Sequence, residues 1–123
     1  MITIISKSPT ATDPTVGATH PLSFYEFLAT LPETAHWAIE RIAIPNNGLD
    51  ISNALRNGAV VSVSDGSLKL CLGTAAYVIE ANGVRIVGVN EVPGPLKDGD
   101  SYHCKLAGVY AVLLIINSLC KYY

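Results

Sequence analysis

Asp65 follows a run of β-branched and small residues, Val60-Val61-Ser62-Val63-Ser64, and precedes Gly66 and Ser67. After residues 68–100 a second block, Ser101-Tyr102-His103-Cys104-Lys105-Leu106-Ala107-Gly108, opens a long apolar segment. The first block predicts a strand that ends by presenting a carboxylate at a glycine turn, and the second predicts the opening turns of a helix. Read locally, each residue has a plain explanation: Asp65 starts a turn, and Lys105 carries its ammonium out to solvent from the first helical turn.

Other chemistries find little support. Cys71, Cys104 and Cys120 lack the paired spacing of a zinc site, and their odd number leaves one thiol over in any disulfide scheme. Free thiols in a reducing compartment are expected. His20, His36 and His103 are dispersed and read as surface or packing residues, while Glu91, Asp98 and Asp100 read as solvated loop or capping acids. No serine sits in a nucleophile-elbow pattern, and there is no glycine-rich phosphate loop.

The elements around the two blocks follow from periodicity and punctuation. Residues 6–21, rich in Thr, Ser, Pro and Gly, predict a flexible lead-in, and residues 1–22 as a whole a disordered tail. Phe24, Phe27, Leu28 and Leu31 recur at helical spacing behind Ser23 and ahead of Pro32. A second helix should begin at Pro32-Glu33, anchored by Trp37 and Ile42 with Glu40 and Arg41 outward, and stop before Pro45. A third is expected from Asp50 to Asn57, capped by Asp50 or Ser52 and closed by Gly58. These helices form a connector over residues 23–57. Thr74 to Glu80 and Val84 to Val89 flank Asn82-Gly83, the residues of a type I′ hairpin. From Leu106 to Ile116 only the Tyr110 hydroxyl is polar, which predicts a helix buried on all sides. The segment 106–120 is shorter than the ~20 residues that a bilayer core requires, so a core helix is expected and not a membrane span.

Composition bounds the class. Of 123 residues 50% are hydrophobic and 15% charged, and mean hydropathy is +0.36, so much apolar surface calls for burial. A net charge of −2 and a pI near 5.8, with scattered lysines and arginines, argue against a broad electrostatic grip on nucleic acid. The apolar patch Ile2 to Ile5 is too brief for a signal-peptide core, and an intracellular location, cytoplasmic or nuclear, is expected.

Taken in order, the apolar strand, Asp65-Gly66-Ser67, the Gly73-Thr74-Ala75-Ala76-Tyr77 strand, the hairpin, Val92-Pro93-Gly94 and the helix with Leu106-Ala107-Gly108 resemble the type 1 ribonuclease H domains of retroelement reverse transcriptases. The resemblance covers residues 58–123. It implies an α+β, RNase H-like partial fold: a three-stranded antiparallel sheet followed by a long buried helix, preceded by short helices, with the later elements beyond Tyr123. It also implies cleavage of RNA in RNA–DNA hybrids by Mg²⁺ ions held on acidic side chains, with Asp65 as the central metal ligand and Gly66 and Ser67 beside the substrate.

The family's helix carries arginine, a small residue and glutamate before Leu-Ala-Gly. This chain has His103, Cys104 and Lys105 there. With the glutamate replaced, the resemblance sets the Lys105 ammonium beside the Asp65 carboxylate, and the expectation is an ion pair in a remnant site with no bound metal and no activity by itself. The alternative is a small interaction module that dimerises, or is completed by a partner, through its apolar helix and open sheet edge.

Overall fold

The computed structural model describes residues 2–6, 22–70, 72–94, 96 and 100–123. The lead-in over residues 7–21, with His20, and also Cys71 and Asp98, lie outside the described residues.

Alternation along three long strands sets the architecture. β3 (Val60–Lys69), β4 (Leu72–Ala81) and β5 (Val84–Glu91) form an antiparallel meander, with Val63 paired to Val78 and Val78 to Val87. Asn82 (φ 52°) and Gly83 (φ 81°) make the β4–β5 turn in the left-handed conformation that the pair was expected to supply. Two short strands enlarge the sheet: β1 (Ile2–Ser6) pairs with β3, and β2 (Ile42–Ala43) with β5, both antiparallel. The order is β1-β3-β4-β5-β2, so the sheet has five strands where three were expected. Residues 2–6, assigned from sequence to a disordered tail, are corrected to an edge strand. A lone five-residue apolar run gives no sign of its partner, because strand pairing is decided by contacts far away in the chain.

All the helices lie on one face of this sheet. α1 (Phe24–Ala29) starts at Ser23 with a reciprocal capping box: Ser23 Oγ accepts from Glu26 N at 3.1 Å, and Glu26 Oε1 accepts from Ser23 N at 3.0 Å. The helix expected from Pro32 stops early, as a 3₁₀ turn over Glu33–Ala38. The Ala38 carbonyl accepts hydrogen bonds from Tyr77 Oη (2.8 Å) and Asn90 Nδ2 (3.0 Å), and Asn90 Oδ1 accepts from Arg41 N (2.7 Å). These bonds from the sheet claim the chain for β2, and Ile42 becomes a strand residue. Burial pushes the Tyr77 phenol above its ordinary pKa.

α2 (Leu49–Arg56) is entered through three successive left-handed residues, Asn46 (φ 48°), Asn47 (φ 57°) and Gly48 (φ 78°). Asp50 does not cap it and instead accepts from Asn46 Nδ2 at 3.2 Å; Ser52 is buried. Asn47 Oδ1 accepts from Phe24 N (2.7 Å), its Nδ2 donates to the hydroxyls of Tyr122 and Tyr123, and its carbonyl accepts from Tyr123 Oη (2.8 Å). One side chain thus ties the start of α1 to the last turn of α3 (Ser101–Tyr122).

α3 crosses β3 and β4 with Cys104, Ala107, Gly108, Ala111, Val112, Ile115 and Leu119 turned inward. They meet Val60, Ala75, Tyr77, Ile79 and Ile86 from the sheet and Phe24, Leu28, Ile51 and Leu55 from the shorter helices. The expectation of burial on all sides is corrected here: Tyr102, Leu106, Tyr110 and Leu113 are exposed along the outer face. A two-layer fold has one sheet face for its helices, so an all-apolar helix keeps one side in solvent. At 22 residues α3 is, among the described residues, long and apolar enough to cross a bilayer, so length does not separate the two settings. Its packing here is that of a helix on a sheet.

The approach of α3 to β3 is unusually close. A Cβ on Gly66 would fall on the backbone of Cys104 and Lys105, and one on Gly108 would stand 3.2 Å from Ser64 Cβ. Beneath the helix, the buried Ser62 and Ser64 hydroxyls have no hydrogen-bond partner among the described residues. Two outcomes are expected in urea denaturation. Gly66→Ala should lower stability by about 3 kcal/mol, since backbone must move to admit the methyl group, whereas Gly108→Ala should stay within about 1 kcal/mol, helix propensity offsetting the tight contact. Ser64→Ala should leave stability unchanged or raise it by up to about 1 kcal/mol, because the hydroxyl it removes is desolvated without compensation.

Candidate functional site

Among the described residues the β1–β3 register runs to Ile2 opposite Ser64, the residue before Asp65, and on the other side Asp65 pairs with Ala76. The strand does not end there, as the sequence suggested, but continues through Gly66 and Ser67 to Lys69. Gly66 serves the helix crossing and makes no turn, because the missing side chain is what admits α3.

That crossing brings the first turns of α3 to the β3 edge. Lys105 Nζ lies 3.3 Å from Asp65 Oδ1 and donates to the Gly66 carbonyl oxygen at 3.2 Å. The hydrogen bond from Lys105, reinforced by its charge, holds the Asp65 carboxyl below its ordinary 3.8. More than half of the Asp65 side chain and over a third of that of Lys105 are exposed, so water screens the pair and its contribution to stability is small. Ser67 points to the same sheet face as Asp65, but its hydroxyl is engaged with Thr74 Oγ1 at 2.9 Å.

The neighbours add no donors suited to a metal. Cys104 is fully buried, and burial, with a smaller contribution from Asp100, pushes its thiol up and away from thiolate chemistry. Glu91 is exposed at the end of β5. His103 is exposed and lines a hollow of about 550 Å³ with Trp37, Val92, Leu106 and Tyr110. Among the described residues, no three His, Cys, Asp or Glu side chains come together. Among the described residues, a divalent cation at Asp65 would meet one carboxylate with an ammonium already against it, a donor set that does not fit a hard cation taking six or more oxygen ligands.

The sequence thus pointed to the pair that the fold brings together. It did not point to a second hollow of similar size on the helical side, between α1, the 3₁₀ turn and β2. Its signal is the spacing Glu33, His36, Trp37 and Glu40, which puts two acids and an aromatic on neighbouring turns, but in a continuous helix the same spacing fits a solvent face and a core face.

The charge coupling has a measurable signature. In Lys105→Met the Asp65 titration midpoint, followed by carboxyl NMR, should rise toward the ordinary aspartate value. Because the folded-state midpoint is depressed, the pair's stabilisation is present above the unfolded-state value and is lost as pH falls through the folded-state one. The stability gap between the unsubstituted protein and Lys105→Met should therefore close below about pH 4. In comparisons with known proteins, no family model, no curated protein and no solved structure matches this chain.

Proposed function

We propose that residues 58–123 are the N-terminal half of a ribonuclease H-like domain of retroelement descent, without nuclease activity of its own. The observation that carries the reading is the Lys105–Asp65 ion pair, set at the crossing of a glycine-bearing strand and a long helix. What supports the descent is the element order: three antiparallel strands, Asp-Gly-Ser on the first of them, then a helix bearing Leu-Ala-Gly packed on that strand. What supports the loss of activity is charge. Two-metal hydrolysis needs carboxylates converging on cations, and Lys105 puts a positive charge where the resemblance calls for a glutamate.

A second reading, a protein-interaction module, is favoured by the sheet face that bears no helix. Val63, Val78 and Val87 form a cross-strand row there, flanked by the exposed Val61 and Val89. An apolar face of this kind is characteristic of surfaces that meet a partner.

Two experiments address these readings. With a labelled RNA–DNA hybrid and Mg²⁺ or Mn²⁺, no cleavage above that of Asp65→Asn is expected; cleavage that is lost in Asp65→Asn would sink the inactive reading. In sedimentation velocity, concentration-dependent dimerisation abolished by Val78→Lys is the result expected of the interaction module. A strictly monomeric protein would count against self-association through this face.

A further inference from the structure

The hollow between α1, the 3₁₀ turn and β2 has a chemistry unlike that of the Asp65 site. Its volume is about 560 Å³, within the range of small-molecule sites. Leu28, Ile39 and Ile42 supply apolar wall, the rings of Tyr25 and Trp37 supply aromatic surface, and Glu33 and Glu40 supply two carboxylates. No lysine or arginine is among its described lining residues. Neither glutamate has an ion-pair or hydrogen-bond partner among the described residues.

The walls are fixed in advance. Tyr25 Oη accepts from Ile44 N at 2.7 Å, which holds the ring against β2. His36 Nε2 donates to the Leu31 carbonyl oxygen at 2.8 Å. Trp37 is stacked on Tyr110 of α3, with ring centroids 6.0 Å apart and planes 21° from parallel. Aromatic walls held in this way lose little conformational freedom on binding, whereas the exposed side chains of Glu33 and Glu40 must order around the ligand.

Two unpaired carboxylates beside aromatic and aliphatic walls complement one kind of molecule, a positive charge carried on an apolar body. We propose that this hollow binds a small organic cation, an arylalkyl ammonium or guanidinium. The cation lies against Trp37 and between Glu33 and Glu40, where ring quadrupole and carboxylate charge act together, and the apolar body covers Leu28, Ile39 and Ile42. An anion of the same shape is repelled, and a neutral analogue keeps only the apolar contact. The inference is independent of the ribonuclease H reading, since none of the lining residues belongs to 58–123 and only Tyr110, stacked on Trp37, comes from that segment.

Trp37 is the one tryptophan in the chain, so its emission reports on the site directly. The test is a titration of the full chain at constant ionic strength with three probes on one frame: phenethylammonium, 2-phenylethanol and phenylacetate. The expected result is a saturable change with phenethylammonium at millimolar concentration or below, about tenfold tighter than with either of the others. The Glu33→Gln/Glu40→Gln variant should lose about tenfold in affinity for phenethylammonium and little for 2-phenylethanol. Equal binding of all three probes, no saturable change with the cation up to ~10 mM, or unaltered affinity in the double variant would each overturn the proposal. Should the double variant fail to fold, the three-probe series on the unsubstituted protein decides the question by itself.

Discussion

The structure depends on how closely one helix can lie on one strand. Gly66 places no side chain where α3 crosses β3, and Gly108 lets the helix settle against Ser64. From that contact the rest follows in sequence. The helix covers β3 and β4, its inner residues complete the core with α1 and α2, and its first turns reach the β3 edge with Lys105 beside Asp65. A helix held even an ångström or two higher would leave voids under Ala111 and Val112 and move the ammonium away from the carboxylate. Dispersion forces fall off steeply over such distances, so the close approach is an energetic requirement as well as a geometric one.

Much of this was legible in the sequence, for reasons particular to each element. The Ser23 cap and the Asn82-Gly83 turn were readable because the stabilising groups lie within a few residues of one another, and the start of α3 was expected near Ser101, where it is found. The Asp65–Lys105 pair was expected only through the resemblance, which sets the two positions side by side, since the α3 segment, apolar on all sides, carries no clear period. The misreadings share one cause. β1 and β2 are too short to carry a pattern, and the helix expected from Pro32 is cut short by Tyr77 and Asn90, which reach the Ala38 carbonyl from 39 and 52 residues away. Tertiary hydrogen bonds overrode a local propensity worth only tenths of a kcal/mol per residue. The carboxylate-lined hollow was hidden for the same reason, since it exists only because that segment is not one continuous helix.

The two faces of the sheet have different characters. One bears every helix, and its core includes the fully buried Tyr77, Ile79 and Ile86; the other carries the valine row together with Glu80 and Arg85, whose side chains pair at 3.3 Å in solvent. Antiparallel sheets tolerate one wet face, but they usually make it polar. Here the apolar content of a chain with few charges is divided between a true core and two surfaces, the valine row and the outer side of α3.

The Asn47 knot has a thermodynamic meaning. Its backbone is held in a left-handed conformation while its amide group serves Phe24, Tyr122 and Tyr123 at once. Fraying of the last turn of α3 therefore takes a bond away from the same side chain that caps the beginning of α1, and neither helix end can open at its own local cost. The partners are 75 and 76 residues apart along the chain, so closing this knot expends loop entropy that only the assembled sheet can offset. Two helix ends that are remote in sequence thus belong to a single cooperative unit, which melts with the core and not ahead of it.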